Sequence, residues 1–201
     1  MTSILDAVRQ QLGPETIQQM SGALGADPAA TSNAVSLALP ALLGGLSQNA
    51  AQPQGAAALD SALNAHDGSI LDNLGGLLGG AGGGGGLGGG IGGAILGHIF
   101  GGRRSTVEQG VGRASGLDAA QVAQLMAMLA PIVMGVLGRM KQSKGLDANR
   151  LPEVLQQSAE QGKKEVPGLG GLLDANNDGS VADDLLRMGS SALGGIFGKK
   201  G

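Results

Sequence analysis

The apolar positions along the chain follow a helical period. Val122, Met126, Leu129, Val133, Val136 and Met140 step alternately by four and three residues, which predicts one continuous stripe on a helix. Asp118 stands just before it, where a carboxylate can accept the free amides of the first turn. Val35, Leu39, Leu42, Leu43 and Leu46 make a second such stripe, with Asp27 as its cap and Pro28 at the first helical position. Pro40 and Pro131 fall inside these two helices; each removes a backbone hydrogen bond and is expected to bend the rod. Ser3 and Asp6 open a short first helix as a capping box, and Gly13-Pro14 turns the chain into another helix carrying Ile17, Met20 and Leu24. Further helices are expected at about 55–64, 69–78, 150–161 and 180–188. No stretch alternates at period two with β-branched residues, so the expected fold class is all-α.

The same landmarks occur twice. Gly25, Ala26 and Asp27 lead to Pro40, Gly44 and Leu46, and Gly116, Leu117 and Asp118 lead to Pro131, Gly135 and Leu137 at a constant offset of 91. His66-Asp67-Gly68-Ser69 and its continuation to Leu74 match Asn177-Asp178-Gly179-Ser180 to Leu185. Ile99-Phe100-Gly101 before Arg103-Arg104 matches Ile196-Phe197-Gly198 before Lys199-Lys200. The expected organisation is two tandem homologous helical units joined by a glycine-rich linker. The first unit takes 1–74, the linker and a glycine-zipper helix closing that unit take 75–104, and the second unit takes 105–201.

The tract between them is mostly glycine. From Gly82 to Gly86 it offers no side chain to bury, which predicts a flexible linker. Beyond it Gly89, Gly93, Gly97 and Gly101 recur every four residues among Ile91, Ile95, Leu96, Ile99 and Phe100. Glycines so spaced give a flat helix face that another backbone can approach closely. The apolar run Ile91–Phe100 is about half of the roughly 20 residues that span a bilayer, so helix packing, including packing between subunits, is preferred to membrane insertion.

Composition narrows the chemistry. The chain's 201 residues include 40 Gly, 2 Phe and no Trp, Tyr or Cys, which removes disulfides, thiolate metal sites, cysteine nucleophiles and aromatic platforms for bases. The first 102 residues hold one base, Arg9, against six acids, while the rest hold twelve bases against ten acids. The bases come singly or in isolated pairs such as Arg103-Arg104, Lys163-Lys164 and Lys199-Lys200 and make no stripe, so nucleic acid is not an expected partner. Met126, Met128, Met134 and Met140 have the spacing and neighbours of core filling rather than of a promiscuous groove. His66 and His98 have no Ser or carboxylate pairing that spacing supports, and no catalytic or cofactor-binding residue is assigned. The N-terminus lacks a basic region followed by an apolar run, which makes the cytoplasm the expected compartment.

One loop has the outline of an ion site. Asp174, Asn176 and Asp178 stand at the first, third and fifth positions of a calcium loop, Gly179 at its turn, and Ser180 where a backbone carbonyl would ligate. The closing twelfth position is Leu185, with Asp183 and Asp184 just before it, so the expected affinity is weak, ~10⁻⁴ M or poorer. The same residues also make a helix cap: Asp178-Gly179 turns, Ser180 caps, and Asp183 completes a capping box. Asp67-Gly68-Ser69 and Asp72 repeat the cap without the first two ligands.

Together the helix at Ile4-Leu5-Asp6, the repeated Pro40-x3-Gly44 and Pro131-x3-Gly135, the glycine tract and the Asp174–Leu185 motif resemble the bacterial family called domain of unknown function 937. The resemblance implies an all-helical bacterial protein with no established activity. A looser likeness to YidB-type helical proteins implies homeodomain-like packing and no function. The expected role is a non-enzymatic structural or interaction protein that self-associates through helix faces. A calcium-modulated adaptor using the Asp174–Asp184 loop and a membrane-associated protein using the Ile91–Phe100 zipper are the alternatives. The calcium reading predicts that millimolar Ca²⁺ raises the melting temperature of EDTA-stripped protein, and that Asp174→Ala with Asp178→Ala abolishes the rise in scanning calorimetry. An unmoved transition leaves the loop as a cap.

Overall fold

The computed structural model describes residues 3–65, 91–145 and 150–165. Every regular element among them is helical: α1 (Ile4–Gln11), α2 (Pro14–Leu24), α3 (Pro28–Ala50), α4 (Pro53–Ala65), α5 (Ile91–Phe100), a 3-10 turn at Gly101–Arg103, α6 (Arg104–Ser115), α7 (Ala119–Lys144) and α8 (Leu151–Glu165). The expected helices at 69–78 and 180–188 lie outside the described residues, as does Gly82–Gly86.

Local chemistry sets the helix ends. The Asp6 amide donates to Ser3 Oγ at 3.1 Å and the Ser3 amide to Asp6 Oδ2 at 3.3 Å, so the expected capping box at α1 is complete. Asp27 Oδ1 accepts from the amides of Ala29 and Ala30, with Pro28 at the first helical position where no amide is needed. Asp118 forms a full capping box with Gln121. Before each of these two aspartates the preceding helix stops at a left-handed glycine, Gly25 at φ 60° after α2 and Gly116 at φ 83° after α6. A side chain at either position would meet the penalty of the left-handed region.

α7 is the axis of the fold. The expected stripe on this helix is buried, but so are the residues between its members. Every position from Leu125 to Gly138 is buried, and Leu125, Ala127, Leu129, Ile132 and Leu137 are fully inaccessible. A helix apolar on all sides must be covered on all sides. Helices α1, α2, α3, α4, α5 and α6 all pack against it. α3 is the second long core helix, with Leu39, Leu42 and Leu43 at its buried centre, and α8 lies along it. Met126, Met128, Met134 and Met140 are all buried, as core filling requires.

With no bulky ring except Phe100 in this core, helices approach closely over small residues. A Cβ on Gly45 of α3 would lie 2.5 Å from Ile99 Cγ2 and 2.8 Å from Phe100 Cε1 of α5. A Cβ on Gly162 of α8 would lie 2.6 Å from the Cβ of Pro40. Pro40 thus sits inside α3 without ending it, and its ring is the knob over which α8 crosses. Gly44, the glycine that the repeat singles out, has nothing within 4 Å of such a Cβ; the constrained position is its neighbour.

Among the described residues two helices, Pro28–Ala50 and Ala119–Ser143, are long and apolar enough to cross a membrane, and 61% and 78% of their apolar windows lie buried inside the fold. A core helix passes that test equally well.

Gly45→Leu should destabilise the protein by about 1–3 kcal/mol in denaturant titration, while Gly44→Ala should not, because only the first drives side-chain atoms into Ile99 and Phe100. Hydrogen bonds from the Ser3 side chain and backbone hold the Asp6 carboxyl below its ordinary pKa. Its contribution is therefore present above the unfolded carboxylate's pKa and lost as pH falls through the lower folded value. Asp6→Asn should lower the melting temperature near neutral pH, and the difference from wild type should vanish in strong acid.

Candidate functional site

The surface that internal packing leaves unexplained is the outer side of α5. The helix turns Leu96, Ile99 and Phe100 into the core, with Ile95 half-buried beside them. Helical spacing then brings Ala94, Gly97 and His98 to the outside, where all are exposed, and Gly101, exposed as well, opens the following 3-10 turn at φ 53°. A Cβ added to Gly97, Gly101 or Gly102 would have nothing within 4 Å. The face is flat, nearly without side chains, and bare within the described residues.

The end of α5 is anchored rather than frayed. Asn49 Nδ2 near the end of α3 donates to the His98 carbonyl at 2.9 Å, which satisfies one of the carbonyls a helix terminus leaves open. Arg103 Nη2 donates to Gln48 Oε1. Arg104 Nε pairs with Glu108 one turn along α6. The bases that follow the glycines are thus tied to neighbouring groups, and the flat face is held at a fixed height above α3.

Other polar contacts between distant elements are structural in the same sense. Lys141 Nζ of α7 lies 2.6 Å from Asp60 Oδ1 of α4 and donates to the Asp60 carbonyl at 3.2 Å. Both side chains are largely shielded, so breaking the pair would strand a charge. Gln121 serves two helices at once, accepting from the Asp118 amide and donating to the Leu24 carbonyl at the end of α2.

The ion-site residues read from the sequence, Asp174, Asn176, Asp178, Ser180, Asp183 and Asp184, lie outside the described residues, together with His66 and Gly89. Among the described residues no group of three or more His, Asp or Glu side chains is placed to hold a metal ion.

A family model matches residues 6–140, that of a bacterial protein of unknown function, DUF937. The chain belongs to this family. No curated protein and no solved structure matches it. The DUF937 match starts in α1 at Asp6 and ends in α7 at Met140, so it takes in both long helices and the glycine tract between them. The all-helical fold therefore belongs to a DUF937 member whose family carries no assigned activity. The bare face of α5 lies inside the matched stretch, and α8 lies beyond it.

Sequence reasoning found the glycines of α5 but not which of their neighbours face inward. Spacing alone gives the angle between residues on a helix; only the position of α3 and α7 decides which side is covered.

Proposed function

We propose that this DUF937 protein is a non-enzymatic helical scaffold that associates with copies of itself through the outer face of α5. The supporting observation is Gly97, exposed and bare beside Ala94 on the outer side of α5. Glycine inside a helix costs roughly 1 kcal/mol relative to alanine, and here no neighbour among the described residues uses the space it leaves. A second helix laid along that face would use it. Burial of Leu96, Ile99 and Phe100 directs the apolar side of α5 into the core, which favours association of proteins over insertion of this helix into a membrane.

The proposal includes two homologous units joined by the glycine-rich tract. Its support is the recurrence of one local design: a left-handed glycine, an aspartate cap two residues later, and a long helix with proline at its thirteenth position, as Pro40 in α3 and Pro131 in α7. Calcium remains a second reading carried by the Asp174-x-Asn176-x-Asp178-Gly179 spacing alone.

Sedimentation velocity over a wide concentration range tests the association. Wild type should form a concentration-dependent oligomer that EDTA leaves intact. Gly97→Leu should weaken it at least ~10-fold while leaving the melting temperature unchanged or slightly raised, since leucine is the better helix former. A monomer at every concentration, or a variant that associates like wild type, would remove the proposal.

A further inference from the structure

We infer that helices α1–α4 and α5–α8 form two four-helix units that complete each other's cores, so that the partner each unit fits is a second unit of its own kind. The inference rests on the duplication proposed above. It adds where the second unit begins and what the two units do for one another.

The beginning is read from register. Carried back from Gly25 and Gly116, the offset of 91 sets Ile4, Leu5 and Val8 of α1 against Ile95, Leu96 and Ile99 of α5. Ile4, Leu5, Val8, Leu96 and Ile99 are buried and Ile95 is half-buried, so the two helices share their inward positions as well as their residue types. At the same offset α2 falls on α6, and α3 on α7 with Pro40 against Pro131. α5 therefore opens the second unit, whereas the match of Ile99-Phe100-Gly101 with Ile196-Phe197-Gly198 places it at the close of the first. On this register the glycine tract is the joint between α4 and α5.

The contacts are reciprocal. α1 packs on α7, and its counterpart α5 packs on α3. α2 packs on α7 and α6 on α3; α4 packs on α7 and α8 on α3. Each long helix is thus covered by short helices from the other unit as well as from its own, as in a two-fold dimer where the same surface serves both partners. Close contacts cross between the units as well: Gly45 of the first unit receives Ile99 and Phe100 of the second, and Gly162 of the second sits on Pro40 of the first. Polar contacts cross there too, Asp60 with Lys141 and the Leu24 carbonyl with Gln121. A second unit alone would keep only α5 and α6 packed against α7, a helix apolar on every side. The two units are held as one body by a shared core, and the glycine tract contributes chiefly effective concentration.

The test is a protease site inserted within Gly82–Gly86 of the full-length chain, cleaved after folding. The two fragments should co-elute in gel filtration, separate only in denaturant, and melt in one transition whose midpoint falls on ten-fold dilution, while that of the uncut protein does not. Fragments that separate and each keep their helical circular dichroism would overturn the inference. They would leave the duplication itself standing. Native-state hydrogen exchange on the intact, unmodified chain gives an independent reading. The slowest amides of α3 and α7 should exchange through one common opening, and two separate openings, one per unit, would overturn the inference as well.

Discussion

The rest of the structure depends on one constraint, the need to cover a helix with no polar side. Between Leu125 and Leu137, α7 offers water nothing but Leu, Met, Ala, Ile, Val, Gly and one Pro, and a single neighbour could shield only part of that circumference. Six helices are drawn around it, and their placement then decides the remainder. α5 must lie with Leu96, Ile99 and Phe100 inward, which fixes Gly97 on the outside. α3 must lie close enough to receive α5 at Gly45, which in turn leaves its own far side for α8.

Glycine and proline, usually breakers of helices, serve this arrangement in distinct ways. At Gly25 and Gly116 glycine ends a helix by turning left-handed, so that the next helix can begin at an aspartate cap. At Gly45 and Gly162 its missing side chain is what another element fills. Pro40 loses a backbone bond inside α3 but presents a rigid ring that α8 fits over. In a chain with two Phe and no Trp or Tyr, close approach replaces bulk as the means of reaching interior packing density.

Much of this is legible in the residues, and what is legible is local. The capping box at Ser3 and Asp6, the caps at Asp27 and Asp118, the two long helices and the all-helical class depend on neighbours within a turn. α6 is not among the helices that periodicity predicts, because Val107 and Val111 are its only large buried side chains and Gly110 and Gly112 interrupt its pattern. Nor does a stripe of six positions on α7 announce burial on every side, since four of the six helices around it lie more than fifty residues away in sequence. The same holds for Gly45 and for the bare side of α5: a residue's spacing names its face, and only the distant neighbour says whether the face is filled. The Asp174–Asp184 loop is read from sequence alone, because it lies outside the described residues.

The methionines packed around the axis give the fold an unusual sensitivity. Met126, Met128 and Met134 hold their thioethers where almost no solvent reaches, together with Met20 from α2. Oxidation would turn each flexible apolar chain into a polar sulfoxide that the interior has no way to hydrogen-bond. An oxidant can reach those sulfur atoms only while the surrounding helices stand apart, and a sulfoxide formed then opposes their return. Brief openings under oxidative stress would accordingly be recorded as lasting damage. The persistence of the folded form would depend on how seldom the helices separate as much as on how strongly they hold.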